Sequence, residues 1–204
     1  GADGMKEKMK QALQQVREQA PLVQCITNFV TVNDCANIIL AAGGSPTMAM
    51  DAREVEEAVR DVSALVCNMG AIESVEAMCL AGREANKLHI PVILDPVAAG
   101  GTQLRRDASA ELLENVQFSV IRGNASEIMA LAAEIRKAER LPSPTANPAT
   151  KGVDSLNDSR EAVESARLLA GRFGCVVSIS GESDFITDGQ TVLMVEGGSA
   201  LVPL

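Results

Sequence analysis

Two short stretches concentrate the residues able to do chemistry. In "VILDPVAAGG" (residues 92–101) an apolar run ends on Asp95, and Pro96 stops it ahead of two glycines, Gly100 and Gly101. In "VIRGNASEI" (residues 120–128) a second apolar run ends on Arg122, with Asn124 and Glu127 close behind. In parallel α/β sheets, ligands collect beyond the carboxyl ends of the strands, where loops and helix amino termini converge. Asp95 and Arg122 are both expected at such ends. The small-residue loop after Asp95 lets a ligand come close to the backbone; the competing reading is a strand-terminal Asp that caps the next turn. Asn124 and Glu127 have the N-x-x-E spacing of a capping box, which opens many ordinary helices. Arg122 adds a cation beside that helix start, where backbone N–H groups and the helix dipole already favour an anion. The combination predicts a phosphate site, with an ordinary capped helix as the alternative.

Strands must end at these residues for them to meet. The runs "LVQCIT", "PTMAM", "SALVCNMG", "IPVILDP", "FSVIRGN" and "CVVSISGE" have strand length and are almost all apolar. Such runs suit parallel strands covered on both sides, because half-exposed antiparallel strands would alternate. Between them "TVNDCANIILAAGG", "DAREVEEAVRDV", "SVEAMCLAGREANKLH", "RRDASAELLENV", "ASEIMALAAEIRKAE" and "SREAVESARLLAGRF" carry apolar residues near i, i+3, i+4 spacing. The reading is an α/β fold: a mostly parallel, doubly wound sheet with helices on both faces. Near the end, "DFITDGQTVLMVEGG" places two β-rich runs around Asp188-Gly189, which predicts a C-terminal antiparallel hairpin at a sheet edge. Residues 140–155, with three prolines, predict a surface loop. The leading Gly-Ala-Asp-Gly reads as residues appended to the native chain, at the start of a charged, helix-like segment over residues 1–19.

Composition narrows the function classes. With 204 residues, 47% of them hydrophobic, the chain suffices for a single domain over 1–204. Four Phe and no Trp or Tyr leave the core to aliphatic residues and supply no stacking platforms for bases. A net charge of −9 opposes binding to phosphodiester backbones, so nucleic acid is not an expected partner. Five scattered cysteines without a C-x-x-C pair read as buried thiols of a reducing compartment, which points to the cytoplasm. No apolar stretch approaches the ~18 residues of a membrane span, and the amino-terminal segment is too charged for a signal peptide. His89, the one histidine, precedes a strand start and reads as a surface or loop residue. Cys67 lies inside a strand run and reads as core. No Cys/His metal cluster occurs, and neither a P-loop nor a strand-linked dinucleotide motif matches.

The blocks "PLVQCITNFVTVNDCAN", "GGSPTMAM", "LVCNMGAI", "IPVILDPVAAGG", "VIRGNASEI", "KGVDS" and "SISGESDFITDG", in this order from about Pro21 to Pro203, closely resemble the hydroxyethylthiazole kinases of the ribokinase-like superfamily. The resemblance implies ATP-dependent phosphorylation of the primary hydroxyl of 4-methyl-5-(2-hydroxyethyl)thiazole, a thiamine-salvage step. It also implies a homotrimer with thiazole pockets at subunit boundaries. Position by position, it implies that Arg122 and Asn124 serve the ATP site, and that Ser180 in "SISGE" stands for a family Thr or Ser that binds ATP. It places Asp95 and Glu127 as organisers of Mg2+, directly or through water. Asn28 in "ITNFV", Met48 in "SPTM" and Gly70 in "NMG" would line the thiazole pocket, although a Met after a strand is more often core.

Two departures stand out. Ala98 occupies a position where the family usually has Gly, which should stiffen the loop or narrow the approach to the phosphates, with a modest effect. The family's Gly-rich V-T-G-x-G-C segment, with its oxyanion-binding amides and the residue beside the attacking hydroxyl, does not occur before Leu204. A protein ending there is expected not to turn over. Two other readings stay open: a ribokinase-like kinase for another small alcohol or a pyrimidine, against which "ITNFVTVND" stands, and a catalytically inactive binding subunit.

Overall fold

Each apolar run read as a strand contributes one in the computed structural model, which describes residues 2–28, 31–144 and 154–196. The chain divides into two compact units, Gly1–Val92 and Ile93–Leu204.

The first unit contains α1 (Ala2–Gln19), β1 (Leu22–Ile26), α2 (Val32–Ala41), β2 (Ser45–Thr47), α3 (Val55–Val59), β3 (Ala64–Asn68) and α4 (Val75–Lys87). β1 is the middle strand: it runs parallel to β2, with Gln24 opposite Thr47, and parallel to β3, with Cys25 opposite Val66. The chain therefore leaves β1 to one side and returns to its other side. This reversal makes a topological switch point at the carboxyl ends of β1 and β3, where doubly wound sheets bind ligands. Ile26, Leu65, Met69 and Met78 are fully buried and form the core. Cys67 is buried among them, with its thiol pushed far up, chiefly by desolvation and further by Cys25 and Cys79, so it packs and does not react. His89 is exposed and takes a left-handed φ of 56° just after α4, where the helix closes with Ile90 N–H donating to the Ala85 carbonyl at 2.8 Å.

Two boundaries differ from the sequence reading. β2 stops at Thr47, so Met48–Met50 are not strand. α3 has only five residues and starts after a turn in which the Asp51 carboxylate folds back onto Arg53, accepting from its N–H at 2.9 Å and pairing with its guanidinium. α1 runs from Ala2 to Gln19, as the helix-like amino-terminal segment predicts.

The second unit contains β4 (Val92–Asp95, whose first residue closes the first unit), α5 (Gln103–Asn115), β5 (Val120–Asn124), α6 (Ala125–Ala138), α7 (Asp154–Phe173), β6 (Val176–Ser180), β7 (Ser183–Thr187) and β8 (Val192–Glu196). β4, β5 and β6 are consecutive parallel neighbours, and β6, β7 and β8 follow as an antiparallel run. α6 packs against both α5 and α7. Leu94, Leu112, Ile121, Leu131, Leu169 and Val177 are fully buried. The predicted hairpin is β7–β8. Its turn is set by Asp188 Oδ1, which accepts from Gln190 N–H at 2.9 Å and Thr191 N–H at 2.8 Å, and by Gly189 at φ 100°. Of the predicted 140–155 loop, residues 141–144 lack regular structure, residues 145–153 lie outside the described residues, and the last two open α7. Among the described residues no helix is long and apolar enough to cross a membrane.

Candidate active site

In the second unit, three strand ends lie side by side, with Asp95 and Arg122 at two of them as expected. Asp95 ends β4, Arg122–Asn124 end β5 and Ser180 ends β6, with Arg122 opposite Ser178 and Asn124 opposite Ser180 in the ladder. The capping box forms in full: Asn124 Oδ1 accepts from Glu127 N–H at 2.9 Å, and Glu127 Oε1 accepts from Asn124 N–H at 2.9 Å. Glu127 does more than close the box. Its second oxygen, Oε2, accepts from Ala98 N–H at 2.8 Å, so one carboxylate ties the loop after β4 to the start of α6. Arg122 is exposed at the same end. Asp95 is half-buried, and its carboxyl is raised above the usual range, first by burial and then by the negative charge of Glu127, with Arg122 opposing. The carboxylates of Asp95 and Glu127 therefore repel one another beside a guanidinium and a helix amino terminus.

The loop between β4 and α5 is drawn tight. Ala98 adopts φ 52°, a left-handed conformation that favours glycine, which explains physically why the resemblance leads one to expect Gly there. Arg105 Nη1 donates to the Val97 carbonyl at 3.0 Å, and Arg106 Nη1 to the Gly100 carbonyl at 2.9 Å, so α5 clamps the loop from its far side. A Cβ on buried Gly123 would stand 3.1 Å from Pro96 Cγ and 3.2 Å from Glu127 Cβ, so this glycine lets the loop and helix close on β5. Gly123, Arg105 and Arg106 were missed in sequence. Gly123 carried a signal, being enclosed between Arg122 and Asn124; the arginines carried none, since exposed helical cations are common.

Among the described residues no group of three or more His, Cys, Asp or Glu could hold a metal. Asp95 and Glu127 form a pair, which suits a metal bound through one or two carboxylates together with phosphates and water. Their mutual repulsion is what a divalent cation relieves.

In the first unit, Asn28 follows β1, Met48 follows β2 and Gly70 follows β3, so all three lie beyond carboxyl strand ends, with Asn28 and Gly70 at the switch point. Asn28 Oδ1 accepts from Thr31 N–H at 2.9 Å and from the Thr31 hydroxyl at 2.8 Å, holding the chain just before α2. Because a backbone N–H only donates, these bonds assign the carboxamide: its Nδ2 faces Gly70. A Cβ at Gly70 would fall 2.8 Å from Asn28 Nδ2 and 2.8 Å from Asn68 Oδ1, and Gly70 N–H donates to Asn68 Oδ1 at 2.7 Å. Asn68 and Thr31, unassigned in sequence, thus hold Gly70 and Asn28 in place. Met48 is half-buried.

The fold is shared with an adenosine kinase from Schistosoma mansoni solved with tubercidin, 14% identical, which superposes with a TM-score of 0.55 over 91% of this chain and 63% of that one, a likeness of fold alone. A hydroxyethylthiazole kinase from Pyrococcus horikoshii OT3, 36% identical, matches with a TM-score of 0.77 over 94% of this chain and 67% of the other. In sequence, the hydroxyethylthiazole kinase of Oleidesulfovibrio alaskensis is 47% identical over 194 residues, covering 94% of this chain and 68% of that protein. The hydroxyethylthiazole kinase family matches residues 13–204. The chain belongs to the hydroxyethylthiazole kinase family.

Proposed function

We propose that the protein transfers the γ-phosphoryl group of ATP to the hydroxyl of 4-methyl-5-(2-hydroxyethyl)thiazole, a thiamine-salvage reaction in the cytoplasm. The observation that carries this reading is the cluster at the β4 and β5 ends. There Arg122, the capped amino end of α6 and the opposed carboxylates of Asp95 and Glu127 stand together. Phosphoryl transfer needs positioning and charge neutralisation more than covalent chemistry from the protein, and this cluster supplies both. Arg122 and the first N–H groups of α6 hold ATP phosphates, and Asn124 contributes by fixing that helix end. Ser180 offers a hydroxyl at the next strand end. Asp95 and Glu127 would hold Mg2+, which when bound offsets charge on the phosphates.

In this reading the thiazole alcohol lies against Asn28, Met48 and Gly70, with Asn28 Nδ2 as donor, and the active form is a homotrimer. Titration calorimetry tests it. The thiazole alcohol should bind saturably and lose affinity in Asn28→Ala, whereas ATP with Mg2+ should bind independently of that change. Thiazole-dependent ADP release by the protein isolated from its own cells completes the test. Tight binding of a pyrimidine alcohol in place of the thiazole would overturn the substrate assignment.

A further inference from the structure

We propose that Gln24 is a positioning residue that holds Met48 in place and thereby sets the selectivity of the thiazole pocket, an inference that rests on the function proposed above. Gln24 sits in β1, the middle strand of its unit, and is 0% exposed. Its Nε2 donates to the Ala49 carbonyl at 2.9 Å, reaching past its ladder partner Thr47 to a segment 25 positions further along the chain. Its Oε1 is buried without a hydrogen-bond partner.

A buried amide satisfied on one side only is a poor choice for stability, because an apolar side chain of similar shape fills the space without stranding an acceptor. What glutamine adds is the donor. β2 ends at Thr47, so Met48–Met50 have no strand ladder to hold them. On the far side, the next fixed point is the Asp51 turn, whose carbonyl accepts from Glu54 and Val55 N–H groups, each at 3.0 Å. Met48 is thus suspended between the last ladder position of β2 and the tether from Gln24. The thioether chain is flexible and adapts to many shapes, so the wall it forms is selective only if its backbone is held.

Gln24→Met tests this, because it keeps the volume and removes the donor. Amide exchange at Ala49 and Met50 should accelerate in the ligand-free protein, and the thiazole alcohol should bind about tenfold more weakly, the scale of one net hydrogen bond. ATP affinity should stay the same, and the melting temperature should not fall, since half-buried Ala49 leaves water access to its carbonyl. Gln24→Leu supplies the same comparison if Gln24→Met does not fold. Unchanged exchange at these amides overturns the tether whatever the ligand result. Faster exchange with unaltered thiazole affinity overturns the role in the pocket. Failure of the unsubstituted protein to bind the thiazole alcohol overturns the functional reading instead, and is recognised without any variant.

Discussion

At the residue scale, Arg122 and Asp95 carry opposite predictions. Arg122 is exposed beside a helix amino terminus, where a guanidinium makes charge-assisted bonds to phosphate worth about 1.5–3 kcal/mol. Arg122→Ala should therefore weaken ATP binding roughly 10- to 100-fold while sparing the thiazole alcohol, as read by calorimetry. Asp95 titrates above the ordinary carboxylate value because of burial and Glu127. Between that ordinary value and the raised one, the folded chain binds more protons than the unfolded chain, so Asp95's contribution to stability falls as pH rises through the window. Mg2+ needs the ionised form, so its affinity should fall as pH drops through the raised value. Glu127→Gln removes the second cause of the shift and should move the Asp95 titration down, which carboxyl NMR would detect; an unmoved titration would mean that burial alone sets it. Ala98, at φ 52°, bears a left-handed cost of about 1 kcal/mol. Ala98→Gly relieves it but adds about 0.4–1 kcal/mol of unfolded-state entropy, so denaturant midpoints should barely move, whereas a β-branched Ala98→Val should destabilise clearly.

At the scale of elements, the join between the β4–α5 loop and α6 depends on one glycine and one acid. Gly123→Ala would bring a Cβ within 3.3 Å of Pro96 Cγ and of Glu127 Cβ and Oε1, so the loop must yield or Glu127 must let go of Ala98. Overpacking of this kind costs about 1–3 kcal/mol. Gly123→Ala should lower the unfolding midpoint and weaken ATP together, while Asn124→Ala should cost about 1 kcal/mol from the lost cap. The capping box was legible because its two partners lie three residues apart in sequence. The third bond, from Ala98 N–H to Glu127, spans 29 positions and was not, since no local period records it. The short β2 and α3 escaped for a related reason. "PTMAM" is apolar enough for a longer strand, yet β2 ends at Thr47, and the Asp51–Arg53 turn ahead of α3 is a side-chain contact that apolar spacing does not record.

At the scale of the whole molecule, the first unit holds the proposed thiazole-facing residues and the second the proposed phosphate-facing ones. The trimer inferred from the family resemblance predicts three times the chain mass in sedimentation at micromolar concentration. A clean monomer would remove the claim that Asn28 and Met48 line pockets shared between subunits.

The alternation of apolar runs with helical spacings was enough to read the α/β class, the terminal hairpin and the strand ends that carry Asp95, Arg122 and Ser180, because strand and helix periods are written locally in the chain. N-x-x-E marked the helix start for the same reason. Strand order is another matter. That β1 lies between β2 and β3, making a switch point beside Asn28 and Gly70, follows from which edges pair in space, and six similar apolar runs do not encode it one at a time. The raised Asp95 carboxyl, the second duty of Glu127 and the reach of Gln24 to Ala49 likewise arise only once residues 25 or more positions apart are brought within hydrogen-bonding or Coulombic range.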